Sequence, residues 1–546
     1  MLGIRLPTTA APLVAPSAAG HTCLWEPAQR PGYHCRVTDS QDTSPAAAPT
    51  RRSLKQAGKS GGRSTRSQAP DPATAADPTT PAAARTGISA IIAKHPRAWI
   101  ASAAAIAFLL LGTGAIFAGA ATGSRSDAAV PAPTESAAPP RSQPSAFPTS
   151  SRLRTCSVAG IIADPRLAGF AGYVTNAATG ETLFDRSGTV PQRTGSVLKV
   201  LTAAAALNIL GPAAQLSTRV IDGSSPGSIV LVGGGDPTLA TTTNTFYDGA
   251  PQIQALADAA KAQYQVLHPG VPITNIVLDS TMWDPADNWD SSWLRKEQDD
   301  GYQAQVTALM INGGRQDPSE SVSTRTTDPV GDAGRSFATA MDLGAVSFSQ
   351  GSAIGSTVLA EVKSQPLSTL INQMLKSSDN VLAEMLARVV SKTMGLSGSS
   401  ASLAQAIPGA LVEYGLTTTT LAIRDGSGLS DLNGVSPQFV TQLMMKIRAN
   451  EKNLGLILTS LPVSGQSGTL ASRFTGANAA ARGAVIAKTG WLDTEYSLAG
   501  IVNAADGTAL AFAFYSIRDG ITSDTKQAQD TLATGLFTCG DNLSNN

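Results

Sequence analysis

The stretch TGSVLKVLTAAAAL at residues 194–207 places a serine and a lysine three positions apart. Its apolar and alanine spacing predicts a helix over 196–207, with Ser196 in the first turn. Positions i and i+3 share one face of a helix, so the hydroxyl of Ser196 and the amine of Lys199 can meet. The helix dipole and burial both disfavour the ammonium form of Lys199. We therefore predict that Lys199 accepts the proton of Ser196 and activates it as a nucleophile.

This S-x-x-K pair carries little weight by itself, because most copies of so short a pattern have no catalytic meaning. A second copy runs from Ser523 to Lys526. That copy has no further polar motif downstream, so we interpret it as the start of a surface helix. The argument for Ser196 therefore depends on other residues.

The sequence lacks the residues that other hydrolytic mechanisms require. His268 is the sole histidine after position 156, so a Ser-His-Asp triad would depend on it and a zinc site would lack ligands. The G-x-S-x-G pattern at 223–227 has Pro226 after its serine, which cannot donate the N–H that an oxyanion hole needs. We predict no metal or cofactor. The formal net charge of zero gives no indication of nucleic-acid binding.

The triplet Ser378-Asp379-Asn380 follows 182 residues after Ser196 and opens a predicted helix. Ser378 can relay a proton to a leaving group, and Asn380 can bond a substrate amide. We group Asp379, which lies between them, with the substrate-binding residues.

The triplet Lys488-Thr489-Gly490 comes last and follows an apolar run. Lys488 and Thr489 can hold a terminal carboxylate. Gly490 allows a substrate strand to lie against the backbone.

In this order the three motifs resemble those of the penicillin-binding protein and serine β-lactamase superfamily. The long separation of the first two is similar to the class C low-molecular-mass branch, the D-alanyl-D-alanine carboxypeptidase/endopeptidase family, which carries insertions at this place. The resemblance covers roughly residues 157–540. Further segments similar to that family's signatures are 232–239, 425–430, 461–463, 468–470 and 497–500.

The resemblance implies an α/β fold of the serine β-lactamase/DD-peptidase type, an antiparallel sheet flanked by helices. The short strand-like runs between about 220 and 345 predict that the inserted subdomain is β-rich. It implies an acyl-enzyme on Ser196, formed from peptidoglycan stem peptides with release of the terminal D-Ala. β-Lactams would trap the same serine. The backbone N–H groups of Ser196 and Trp491 would form the oxyanion hole.

Trp491 departs from the family pattern, which commonly has Thr or Ser after K-T-G to help hold the carboxylate. Its bulk bears on peptide specificity and on β-lactam affinity. Two alternatives share the fold: a β-lactamase, disfavoured by the long insertion, and a non-catalytic wall-binding scaffold, disfavoured by the intact polar motifs.

The residues before position 156 differ in composition from the rest. Residues 1–97 carry 12 Lys and Arg against 5 Asp and Glu and few core-forming residues, which predicts a disordered basic cytoplasmic arm, with attraction to anionic lipid as the sharper alternative. Residues 98–121 form an apolar run long enough to span a bilayer, and they lie too deep in the chain for a signal peptide. We predict a single-pass signal anchor with the catalytic domain outside the cytoplasm. The linker at 122–155 is rich in proline.

The outer part divides into peptidase residues 156–219, an inserted subdomain at 220–345, and peptidase residues 346–540. Cys156 and Cys539 stand at its two ends, and domain termini often lie close together, so we hypothesise a disulfide between them. Alternating apolar residues predict strands at 169–175, 181–184, 228–232, 273–278, 496–502 and 508–515, and a last helix at 525–537.

Overall fold

The structure, a computed structural model, describes residues 152–545. Its strands are β1 Phe170–Asn176, β2 Thr182–Arg186, β3 Ser217–Asp222, β4 Ser228–Gly233, β5 Asn275–Asp279, β6 Ser347–Gln350, β7 Val358–Lys363, β8 Val485–Leu492, β9 Glu495–Asn503 and β10 Ala509–Ile517. Its α-helices are α1 Ala159–Ile162, α2 Leu198–Ile209, α3 Ile253–Leu267, α4 Lys296–Asp299, α5 Pro329–Ala340, α6 Leu367–Ser377, α7 Asn380–Thr393, α8 Leu403–Val412, α9 Pro437–Arg448, α10 Gly455–Ser460 and α11 Asp524–Cys539.

The first sheet has the strand order β2-β1-β10-β9-β8, and every neighbouring pair is antiparallel. It joins the two ends of the described chain, since β1 pairs with β10 from Phe170↔Ser516 to Asn176↔Leu510. The predicted hairpin near the C-terminus is confirmed as β9 and β10, and the predicted last helix as α11. This sheet sets β8, which carries the K-T-G triplet, at its edge.

Both faces of this sheet are buried, which explains why β9 and β10 are apolar at almost every position. Small residues such as Ala511 and Ala513 face the helical core that contains α2. Large residues such as Phe512 and Phe514 face a second core that contains α11. The alanines of α2 are buried along its length, because small side chains let this central helix pack closely.

The second sheet has the order β6-β5-β4-β3-β7 and is mixed, with β4–β5 and β5–β6 parallel. Its apolar core includes residues of α3 and α5. We call residues 217–363 the insertion. The insertion is therefore mixed α/β, whereas the sequence predicted a β-rich subdomain. The segments that form α3 and α5 have a helical periodicity of apolar residues alongside the short strand-like runs. Its sheet also extends past residue 345, through β6 and β7.

Cys156 and Cys539 are joined by a disulfide, with their Cα atoms 5.4 Å apart. Within residues 152–545, no helix has both the length and the apolar character needed to cross a bilayer. The predicted arm at 1–97, the predicted anchor at 98–121 and the linker up to residue 151 lie outside the described residues.

Candidate active site

Ser196 lies in the 3-10 turn Gly195–Val197, which leads directly into α2. The sequence predicted that the α-helix begins at Ser196; the structure begins it at Leu198, after this tighter turn. Gly195 has a φ of 46°, and a Cβ there would lie 3.0 Å from the Trp491 nitrogen. Glycine at this position therefore lets the nucleophile turn approach β8 closely.

Lys199 is fully buried, and its Nζ contacts three oxygens. Nζ donates to Ser196 Oγ at 2.7 Å, to Asn380 Oδ1 at 2.7 Å and to the Ser427 carbonyl at 2.8 Å. Burial lowers the pKa of Lys199 to about 8, although nearby carboxylates oppose that shift. A neutral amine has two N–H donors and one lone pair. With its donors on Asn380 and Ser427, the lone pair is left for the Ser196 hydroxyl proton.

The triplet Ser378-Asp379-Asn380 forms the turn between α6 and α7. Ser378 adopts a left-handed conformation, with φ 63° and ψ 38°. Its Oγ accepts a hydrogen bond from Lys488 Nζ at 2.8 Å. Burial, with repulsion from Lys199, lowers the pKa of Lys488 well below its ordinary value. The carboxylate of a bound peptide would favour the charged form of Lys488 again.

Gly490 brings β8 against the nucleophile turn. A Cβ on Gly490 would lie 2.1 Å from Ser497 Oγ and 3.0 Å from the Ser196 nitrogen. Ser497 Oγ donates to the Thr194 carbonyl at 2.7 Å, which ties β9 to the same turn. Any larger residue at 490 would push β8 and Ser196 apart.

Trp491 and Thr489 lie further along the same strand. The hydroxyls of Thr489 and Thr469 are hydrogen-bonded at 2.8 Å. The side chain of Trp491 is 48% exposed, and its ring packs edge-on to Tyr302 of the insertion, with 6.2 Å between centroids. Trp491, which stands where the family pattern has Thr or Ser, thus forms a partly exposed aromatic wall at the entrance of the cleft.

These residues border one cleft of about 590 Å³. Seven of the nine predicted catalytic and binding residues line this cleft: Ser196, Ser378, Asp379, Asn380, Thr489, Gly490 and Trp491. Lys199 and Lys488 lie beneath its floor, fully buried. The structure therefore brings together every predicted member of the three motifs.

The rejected serines lie elsewhere. Ser225 is exposed in the turn between β3 and β4, and Ser523 is exposed just before α11. Neither lines the cleft. Lys526 does border it, with its Nζ 5.3 Å from the centroid of the Tyr496 ring, but its partner in the pattern does not.

Sequence reasoning missed a buried carboxylate beneath Lys199. Glu384 lies on α7, one turn after Asn380, and accepts hydrogen bonds from the backbone N–H groups of Gly426 and Ser427 at 3.0 and 2.7 Å. Glu384 thereby holds the loop whose Ser427 carbonyl accepts from Lys199. Burial and the neighbouring Asp425 raise the pKa of Glu384. The i+4 spacing from Asn380 was the available signal.

A family model described as "D-Ala-D-Ala carboxypeptidase 3 (S13) family" matches residues 155–321 and 316–536. The chain belongs to this family. Within it, the chain is 36% identical to carboxypeptidase DacB of Mycolicibacterium smegmatis over 444 residues, covering 77% of this chain and 92% of the relative. It is 35% identical to carboxypeptidase Rv3627c of Mycobacterium tuberculosis over 438 residues, covering 76% of this chain and 91% of that protein.

Among solved structures, penicillin binding protein 4 (dacB) from Haemophilus influenzae is similar, with a TM-score of 0.58 and 19% identity. The match covers 70% of this chain and 99% of that one, and it supports the DD-peptidase-like fold. The predicted S13-type resemblance is confirmed. Membership of the S13 family favours a serine-type D-Ala-D-Ala carboxypeptidase over the β-lactamase and scaffold alternatives.

Proposed function

We propose that this S13 carboxypeptidase cleaves D-Ala-D-Ala peptides of peptidoglycan through an acyl-enzyme on Ser196, with Lys199 as general base. The observation that carries the proposal is the set of three contacts at Lys199 Nζ. They leave a buried, partly neutral amine 2.7 Å from the serine oxygen. That distance is within the reach that proton abstraction requires.

In the first half-reaction, Ser196 Oγ attacks the carbonyl carbon of the penultimate D-Ala as Lys199 takes its proton. We assign the stabilisation of the developing oxyanion to the backbone N–H groups of Ser196 and Trp491, as the family resemblance implies. Collapse breaks the C–N bond, and the proton that Lys199 took from Ser196 passes to the leaving amine by way of the Ser378 hydroxyl, which contacts Lys488 Nζ. Lys199 is then neutral again. Water attacks the acyl-enzyme as Lys199 takes its proton, and that proton returns to Ser196 Oγ when the ester bond breaks and the shortened peptide leaves.

Substrate contacts follow from the remaining groups. Asn380 Oδ1 is occupied by Lys199, so its Nδ2 is available to donate to a carbonyl of the peptide. The Thr489 hydroxyl and Lys488 would hold the terminal carboxylate. A β-lactam presents a similar carbonyl and carboxylate, so we propose that it acylates Ser196 as well.

We propose that the enzyme is anchored in the cell membrane by residues 98–121, with an N-terminal cytoplasmic arm and an extracytoplasmic catalytic domain. The Cys156–Cys539 disulfide supports this location, because such bonds persist in oxidising compartments. Proteolysis of intact and permeabilised cells tests it. Cleavage of the catalytic domain only after permeabilisation would contradict this orientation.

Acylation should depend on pH through Lys199. Its pKa is lowered from 10.5 to about 8, so the protonated, inactive amine accumulates as pH falls below 8. We expect the acylation rate constant to fall about tenfold per pH unit well below pH 8 and to level off above it. Stopped-flow measurements with fluorescent penicillin from pH 5.5 to 9.5 provide the profile.

A Glu384→Gln variant is the matched control, because burial and Asp425 raise the pKa of Glu384 to about 8, into the range to which the pKa of Lys199 is lowered. If Lys199 is the titrating base, the acylation rate constant of that variant should still fall as the pH drops below 8. A rate that stays flat from pH 6 to 9 in the unmodified enzyme would contradict the assignment.

Trp491→Thr should improve binding of the terminal carboxylate. A hydroxyl at this position can donate one hydrogen bond to the charged group, which is worth about 1.5 kcal/mol, or roughly tenfold in affinity. We expect KM for a D-Ala-D-Ala peptide to fall by about that factor with little change in kcat. Trp491→Phe keeps an aromatic ring without the hydroxyl and should resemble the unmodified enzyme. Equal KM values for the two variants would contradict the prediction.

A further inference from the structure

The insertion contacts the catalytic motifs at one buried carboxylate. Arg315 Nη2 donates to Asp379 Oδ2 at 2.7 Å, and the Tyr247 hydroxyl donates to the same oxygen at 3.0 Å. The Arg315 and Asp379 side chains are 1% and 2% exposed. Both donors belong to the insertion, whereas Asp379 is the middle residue of the second motif. The two parts of the fold therefore meet directly behind Ser378 and Asn380.

Asp379 controls the geometry of that motif. Its Oδ1 accepts the Leu382 N–H at 2.8 Å and caps the N-terminus of α7, on which Asn380 is the first residue. On its other side, Ser378 holds a left-handed backbone that a serine rarely adopts. Such a conformation persists only where its surroundings fix it. A carboxylate held at both oxygens is in a position to do so.

Arg315 is itself held in one orientation. Its guanidinium lies over the rings of Phe246 and Tyr247, at 4.2 and 4.8 Å from their centroids. It also donates to the carbonyls of Glu320 at 3.0 Å and Ser321 at 3.3 Å. A planar cation fixed by stacking and by several hydrogen bonds can place a carboxylate more sharply than a flexible lysine.

The charge of Asp379 is constant under working conditions. Burial opposes its ionisation, but Arg315 and Arg325 outweigh burial and lower the pKa of Asp379 to about 2. The ion pair is therefore intact at every pH at which Lys199 changes its charge. The ion pair therefore acts on the site by fixing the position of Asp379, not by changing charge with pH.

We propose that Arg315 and Tyr247 of the insertion are positioning residues, which hold Ser378 and Asn380 in reacting geometry by clamping Asp379. On this view the insertion completes the active site, and the cleft without it would lack a fixed second motif. The inference rests on the proposed role of Ser196 and extends it to residues that touch no substrate.

The test compares full-length variants by their rate constants for acylation with fluorescent penicillin and by kcat and KM for a D-Ala-D-Ala peptide. Arg315→Met should slow acylation about 100-fold, as expected when reacting groups are displaced by about 1 Å. Tyr247→Phe keeps the stacked ring and removes one hydrogen bond, so acylation should slow about threefold to tenfold. Each variant should lower kcat by a larger factor than it changes KM.

A double variant, Arg315→Met with Asp379→Asn, separates positioning from charge balance. It removes the unpaired buried carboxylate and keeps the helix cap, so its thermal unfolding should return toward that of the unmodified enzyme even if Arg315→Met alone does not fold. We expect its acylation to stay at least about tenfold slow. Arg335→Met is the matched control, since Arg335 pairs with Asp328 and Asp332 at the exposed surface of the insertion.

Recovery of both stability and acylation rate in the double variant would overturn the inference, because Arg315 would then only balance a charge. A Tyr247→Phe variant as fast as the unmodified enzyme would also count against it. If the unmodified enzyme is not labelled at Ser196, the proposed function fails first, and that outcome is distinct from normal labelling with equally fast variants.

Discussion

Ser196→Ala should abolish acylation by fluorescent penicillin and lower kcat for a D-Ala-D-Ala peptide by about 10⁴-fold or more. The reason is that the reaction passes through a covalent bond to Ser196 Oγ. The other serine hydroxyl of the three motifs, Ser378 Oγ, contacts Lys488 Nζ instead of Lys199. Mass mapping of the labelled peptide identifies the acylated residue directly.

Ser523→Ala is the matched control for this experiment. Ser523 opens the second S-x-x-K copy, but it is exposed and does not border the cleft. Its replacement should leave labelling and kcat unchanged. An adduct on any residue other than Ser196, or hydrolysis that survives in Ser196→Ala, would remove Ser196 from the mechanism.

Removal of the Cys156–Cys539 disulfide should lower the free energy of unfolding by roughly 2–5 kcal/mol. The bond closes a loop of 383 residues, so its loss frees a very long segment of the unfolded chain. It also ties residue 156 to the end of α11, beside the backbone bond from the Ser544 N–H to the Cys156 carbonyl at 2.8 Å. Thermal and denaturant unfolding of a Cys156→Ala, Cys539→Ala variant measures the effect.

Reduction of the unmodified protein is the control, because it should reproduce the shift, whereas the same reductant should not affect the double variant. Neither cysteine lines the cleft, so kcat below the unfolding transition should be retained. Unfolding that is identical with and without the bond would show that the native contacts around residue 156 suffice to hold this end.

Several features of this protein were readable from local sequence. The pairing of Ser196 with Lys199 depends only on the i, i+3 geometry of a helix start, and the β9–β10 hairpin depends on alternating apolar residues around a short turn. Gly490 was predicted to let a substrate strand lie against the backbone, which stays a prediction; the structure adds that Ser497 and the Ser196 turn lie against this residue. These signals lie within a few residues of each other, so no long-range contact is needed to interpret them.

Other features required the folded chain. The mixed insertion was predicted as β-rich, because its strands were more visible than the amphipathic spacing of α3 and α5. The Ser427 carbonyl, which accepts a hydrogen bond from Lys199, could not be predicted from residue type, because every residue has a backbone carbonyl. Glu384 had a weak signal in its spacing from Asn380, and its contact with the 426–427 loop could not be inferred from that spacing.

The three motifs, their order and the family of reaction they support could be predicted before any fold was known, because motif chemistry is carried by residue type and by short spacing. The contact of Arg315 with Asp379, 64 residues further along the chain, is evident only in the folded protein. An ion pair between distant residues has no periodicity and no fixed spacing, and its strength depends on burial of both partners. That burial exists only once the insertion packs against α7, so the residues that position the chemistry became visible only in the fold.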